Sequence, residues 1–184
     1  DVCSSDLSPE PVLAYGRTKA RIRATLTAAA ARHAVAAGCF VVPHPIGALE
    51  KPGLGTYLAG CWLAGRPARL RHPTLVRDFI HVDLLAALYA EFCRAQMEAA
   101  PARLRAPSGH TATLLEQARW IGAALGPRLG VPCAVLATEP AEPSDEPEVL
   151  VNPELTGALA ATWPIERAWD RLADFYLWLN SSTG

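Results

Sequence analysis

Short apolar runs bounded by proline and glycine alternate along this chain with longer stretches of helical period, and that alternation limits the fold more than any other feature. Phe40-Val41-Val42 has the length and character of a buried parallel strand, and Pro43, Pro45 and Gly47 behind it predict a turn. Ala68-Arg69-Leu70, the stretch opening at Leu104 and the run Cys133 to Leu136 read as further short extended pieces. One helix is predicted to start between Val12 and Tyr15 and to run to about Ala36, closed by Gly38; others cover Leu54 to Leu63 and Val82 to Met97. A turn at Ser108-Gly109-His110-Thr111 caps a helix from Thr113 to Leu125. A last amphipathic helix, Ile165 to Leu179, carries Trp169, Leu172, Phe175, Tyr176 and Trp178. Elements in this order specify an α/β fold, in which function collects at turns outside the carboxyl ends of strands.

Of the 184 residues, 51% are apolar and 19% charged, which is enough apolar material for a core. A net charge of -1, with no basic run interleaved with aromatics, provides no electrostatic footprint for nucleic acid. The alanine-rich segment from Ala28 to Ala37 is broken by Arg32 and His33, so no stretch reads as a membrane span. Cys3, Cys39, Cys61, Cys93 and Cys133 form no Cys-x-x-Cys pair; an odd number in apolar surroundings points to reduced thiols in the core of a cytoplasmic protein. The histidines are dispersed, without the spacing of a metal site. The run from Glu139 to Glu148, rich in proline and glutamate, is predicted as a surface loop.

Tyr15 and Lys19 stand four apart at the head of the first helical run, one turn apart on one face, so both can reach one site. A tyrosine titrates near pH ~10, and a nearby ammonium favours its phenolate, the form that accepts a proton. From spacing alone the pair reads also as a helix-start aromatic beside a solvated lysine.

Three stretches in order and spacing then add a resemblance. Tyr15-Gly16-Arg17-Thr18-Lys19 resembles the catalytic signature of the extended short-chain dehydrogenase/reductases, the NAD-dependent nucleotide-sugar epimerase/dehydratase family. Cys39 through Ala48 is similar to that family's strand and Asn-Pro-x-Gly turn, and Val76 through Ala86 to its Arg-Asp-Phe/Tyr-Ile-His-Val-x-Asp-x-Ala segment. The resemblance implies the C-terminal part of a Rossmann-type parallel sheet, with a small substrate-binding lobe from about residue 48 onward. The N-terminal βαβ half is missing on this reading: the chain has no Gly-x-x-Gly-x-x-Gly loop and no catalytic Ser/Thr before Tyr15.

The same resemblance implies residue roles. Tyr15 is the acid/base, Lys19 supports it and contacts the nicotinamide ribose, and Val42 and Pro45 lie at the nicotinamide of NAD or NADP. Arg77 grips the diphosphate of a nucleotide-sugar substrate, a task suited to a guanidinium fork; its other reading is an ion pair with Asp78. Asp78, His81 and Asp83 cap and position the following helix. His44 stands where the family commonly has an asparagine that bonds the substrate phosphate, and a neutral imidazole can donate one such bond. Asp145 matches a ribose contact, although Glu142 holds the position of its usual arginine companion, and a solvated acidic loop is the other reading. The full-length parent is expected to be a homodimer. Asp1 to Leu7 has no hydrophobic period and resembles the translation of a sequencing-library adaptor, so residues 8–184 are taken as the native part. The second functional reading is a non-catalytic module that binds sugar nucleotides or a protein partner.

Overall fold

The computed structural model describes residues 14–50, 52–98, 103–138, 144–154, 156 and 160–182. Asp1 to Leu7, the loop from Ser8 to Pro11, Cys3 and Glu142 lie outside the described residues.

Helix α1 (Ala14–Arg32) is built mostly of alanine, threonine and arginine and ends four residues before the expected Ala36. Ala34 takes a left-handed φ of 50°, and Val35 N–H bonds back to Ala30 O, which closes the helix there. Gly38 therefore ends nothing; it opens β1 (Gly38–Phe40). A Cβ at Gly38 would lie 2.5 Å from the Phe92 ring, so glycine is what lets α3 (Val82–Glu98) approach this strand.

β1 pairs in parallel with β5 (Arg103–Arg105), after α2 (Leu54–Leu63), β3 (Ala68–Leu70) and β4 (Val76–His81) intervene in the chain. The predicted turn from Pro43 to Gly47 is in fact mostly strand: β2 (His44–Ile46) lies parallel to β4. Pro45 is tolerated because β2 is an edge, where a missing N–H costs no ladder bond. On its other side β4 pairs antiparallel with β6 (His110–Thr113), so the predicted Ser108–Thr111 turn shrinks to Ser108-Gly109. Thr113 caps α4 (Leu114–Leu129) in a reciprocal box with Glu116, and the left-handed Gly130 ends it, past the expected Leu125. β7 (Val135–Ala137) pairs in parallel with β3, and β8 (Val149–Leu150) with β4. The last element is α5 (Ile165–Ser182).

Successive residues of β4 point to opposite faces and so serve two cores. Phe79, with Ile46, packs among Leu58 and Trp62 of α2, Ile121 and Leu125 of α4, and Trp169, Leu172 and Tyr176 of α5. Ile80 packs on Leu84 and Leu88 of α3, with Phe40 and Trp163 against them. Each fully buried large side chain contributes about 1.5–3 kcal/mol, so helices α2, α4 and α5 are fixed mainly by this burial.

Three polar junctions set the connections. Asp78, 1% exposed, does not cap α3 as expected: Gly109 N–H donates to its Oδ1 (2.6 Å) and Asn152 N–H to its Oδ2 (3.0 Å). Asn152 Nδ2 donates in turn to Val41 O and Pro107 O, each at 3.0 Å, joining the β1/β5 pair to the β4 sheet. The α3 cap is His81, whose Nδ1 accepts from Asp83 N–H at 3.2 Å. The Glu50 carboxylate accepts from Thr56 N–H (2.8 Å), Thr56 hydroxyl (3.0 Å), Tyr176 hydroxyl (3.2 Å) and Gly47 N–H (3.3 Å), tying α2 to α5. Burial pushes its carboxyl pKa upward in spite of those donors. The third junction is at β3, where the Tyr57 hydroxyl both accepts from Arg69 N–H and donates to Arg69 O, each at 2.9 Å. Cys39, Cys61, Cys93 and Cys133 are free thiols, of which Cys61 is buried and the others are half-buried.

Candidate functional site

The helical spacing of Tyr15 and Lys19 brings the two side chains together. Lys19 Nζ lies over the Tyr15 ring, 5.2 Å from its centre, a cation-on-ring contact. Tyr15 is 45% exposed and Lys19 is exposed, and Gly16 is the only buried residue of α1. Phenol and ammonium thus face outward, open to a third group.

A second constellation gathers on one face of the β4 sheet. His44 is the Cα partner of Phe79, their rings 5.3 Å apart, and Arg77 lies two residues back along β4 on the same side. Val42 is half-buried ahead of β2, and Pro45 is exposed on the opposite face, paired with Ile80. The Arg77 guanidinium is not paired with Asp78, whose carboxylate is taken by two backbone amides. It is 2% exposed, and both of its terminal nitrogens are engaged elsewhere. One terminal nitrogen, Nη1, donates to Val76 O (2.8 Å), Pro147 O (3.1 Å) and Glu148 O (3.3 Å), while Nη2 donates to Glu146 Oε2 at 2.6 Å. Burial lowers the His44 pKa, and the Arg77 charge pushes it the same way, so this imidazole stays neutral at pH 7.

A cleft of about 440 Å³ opens beside this group, lined by Leu70, Arg71, His72, Leu75, Leu114 and the segment Ser144-Asp145-Glu146. Asp145 is therefore on the wall of a cleft, and its neighbour Glu146 covers one terminal nitrogen of Arg77. Arg71, and the contact of Glu146 with Arg77, escaped the sequence reading. Glu146 lies 69 residues from Arg77 in a proline-rich acidic run, and no local pattern announces such a contact. Among the described residues no group of His, Cys, Asp or Glu is arranged to hold a metal ion, and no described helix is long and apolar enough to cross a membrane.

No protein-family description matches the sequence, and no curated protein matches it. Solved structures do. A UDP-glucuronic acid 4-epimerase from Bacillus cereus, in complex with UDP-glucuronic acid and NAD, superposes with a TM-score of 0.70 at 16% identity; the match covers 95% of this chain and 55% of that one. The fold is that of the UDP-sugar epimerases. The UDP-glucose 4-epimerase of Thermus thermophilus, in complex with NAD, gives a TM-score of 0.67 at 17% identity, covering 92% of this chain and 55% of that chain. For the UDP-N-acetylglucosamine 4-epimerase of Methanobrevibacter ruminantium, in complex with UDP-N-acetylmuramic acid, the values are 0.66 and 11%, with coverages of 90% and 54%. The chain spans about half the length of these epimerases, a partial Rossmann-type α/β fold, as the resemblance of its three stretches implied.

Proposed function

We propose that this chain is the C-terminal part of an NAD(P)-dependent nucleotide-sugar epimerase, dehydratase or reductase, cytoplasmic and homodimeric at full length, with Tyr15 as its acid/base. The observation that carries the reading is the Tyr15–Lys19 contact, set on the first helix of a chain with the UDP-sugar epimerase fold. Its open phenol and ammonium suit the nicotinamide end of a dinucleotide. The sequence has no glycine-rich loop for the pyrophosphate, so that part of the cofactor site belongs to residues upstream.

NAD or NADP supplies a hydride acceptor when bound. Tyr15, as phenolate, takes the proton from a sugar hydroxyl while the adjacent C–H bond gives up its hydride, and a ketone results. Lys19 holds positive charge against the tyrosine throughout and binds the nicotinamide ribose. Val42 and Pro45 shape the wall beside the nicotinamide. His44, neutral and half-buried, is a single donor toward the substrate's phosphate, and Asp145 accepts from its ribose. Arg77 receives the diphosphate on Nη2, the terminal nitrogen that meets a carboxylate where Nη1 meets backbone carbonyls.

Replacement Tyr15→Phe in the full-length protein tests this. Loss of a general acid/base lowers turnover by a factor of about 10² to 10⁴ while circular dichroism and melting stay unchanged. Turnover within about twofold of wild type removes Tyr15 from the reaction.

A further inference from the structure

We infer that Glu146 is a displaceable placeholder on Arg77, which makes this cleft selective for ligands whose anionic group can evict a carboxylate. The inference rests on the cleft's being the nucleotide-sugar site proposed above. It concerns a residue that the proposed reaction does not use.

The asymmetry of the Arg77 contacts is the starting point. Three backbone carbonyls hold Nη1, and all belong to ordered chain: one is its neighbour on β4, two lie in the segment that leads into β8. These do not depart without unpairing the strand. Nη2 meets only the Glu146 carboxylate among the described residues, and that side chain is 56% exposed whereas the arginine is 2% exposed. The guanidinium is thus fixed through Nη1, and a more exposed acid, itself on the cleft wall, lies across Nη2. A carboxylate and a phosphate present the same feature to that nitrogen, an anionic oxygen at hydrogen-bond distance.

The exchange balances in charge and bonds. Removing Glu146 alone would leave a buried cation without its anion, which is costly; an arriving phosphate oxygen takes its place in the same step. The displaced carboxylate already faces water and is rehydrated. Arg71, exposed on the same wall and without an ion pair among the described residues, is the first cation that an arriving anion meets. A neutral nucleoside has nothing to offer Nη2 and leaves Glu146 seated. Asp145 and Glu146 together repel an anion that cannot reach Arg77.

The test titrates this chain by calorimetry with UDP, UMP and uridine, comparing wild type with Glu146→Gln and Glu146→Ala. Glutamine keeps the shape and loses the charge. Both variants should bind UDP about tenfold more tightly than wild type, the scale of one charge-assisted bond, and bind uridine unchanged. Hydrogen exchange should add that UDP raises protection loss across residues 144–147 in wild type while leaving β4 protected. Equal UDP affinity in wild type and both variants overturns the placeholder and leaves the nucleotide-sugar reading standing. A gain shared equally by uridine also overturns it, since that reports a loosened loop and not a vacated edge. If no protein of the set binds UDP, the cleft is not a nucleotide site, and the placeholder falls with that reading.

Discussion

Replacing Asp78 by alanine should nearly unfold this protein, and the cost can be worked from its contacts. The carboxylate is buried and accepts two backbone N–H bonds, at 2.6 Å from Gly109 and 3.0 Å from Asn152. Hydrogen bonds to a charged acceptor contribute about 1.5–3 kcal/mol each, and a stranded buried N–H costs a similar amount. Asp78→Ala loses both bonds, about 3–6 kcal/mol, against a stability of about 5–15 kcal/mol for an ordinary domain. Asp78→Asn keeps one oxygen and sets an amide donor against the second N–H, so about half that cost is expected. Urea unfolding followed by tryptophan fluorescence measures both. With a slope of about 2 kcal/mol per molar, the alanine midpoint should fall by about 1.5–3 M and the asparagine midpoint by roughly half as much. A midpoint shift under about 0.3 M for Asp78→Ala refutes the assignment of Asp78 as the clasp between the two sheets.

Three further outcomes are expected of folding. Burial lowers the pKa of both His44 and His81, so below 6.5 the unfolded chain takes up protons that the folded chain refuses, and stability falls as pH drops through that value. Melting temperatures should therefore decline from about pH 7.5 to about pH 5.5, less steeply in His44→Gln; a flat or rising profile contradicts it. A Cβ at Gly109 would run into the Phe79 backbone carbonyl, which cannot swing aside, so Gly109→Ala should cost about 1–3 kcal/mol in urea unfolding. Gly60→Ala, with open space on the helix, should be neutral or stabilising by up to about 1 kcal/mol, and the reverse order would remove the packing argument.

Among the described residues, helices such as Leu54–Leu63 and Ile165–Ser182 were legible because their apolar period repeats over ten residues or more. The strands were legible only where an apolar run stood alone. β2 hides behind two prolines that act as turn residues locally and are tolerated at an edge, a fact set by β4 far along the chain. β6 and β8 are short and polar, and pairing with β4 is what makes them strands. Much the same divides the candidate site. Tyr15 and Lys19 are four residues apart, so local geometry already places them together, whereas Glu146 reaches Arg77, and Asn152 reaches Val41, across 69 and 111 residues. The Arg77–Asp78 ion pair illustrates the converse error: neighbours on a strand point to opposite faces, and adjacency in sequence counted against the contact.

The Tyr57 hydroxyl has a consequence for how the molecule meets its own kind. In β3 the backbone groups of Ala68 and Leu70 turn toward β7, as the Ala68 N–H to Ala134 O and Thr138 N–H to Leu70 O bonds show, which leaves Arg69 as the residue whose amide and carbonyl face outward. One phenol saturates both of these. A side chain has thereby filled the place of a neighbouring strand, and the β3 edge of this ribbon refuses templated growth in crowded solution.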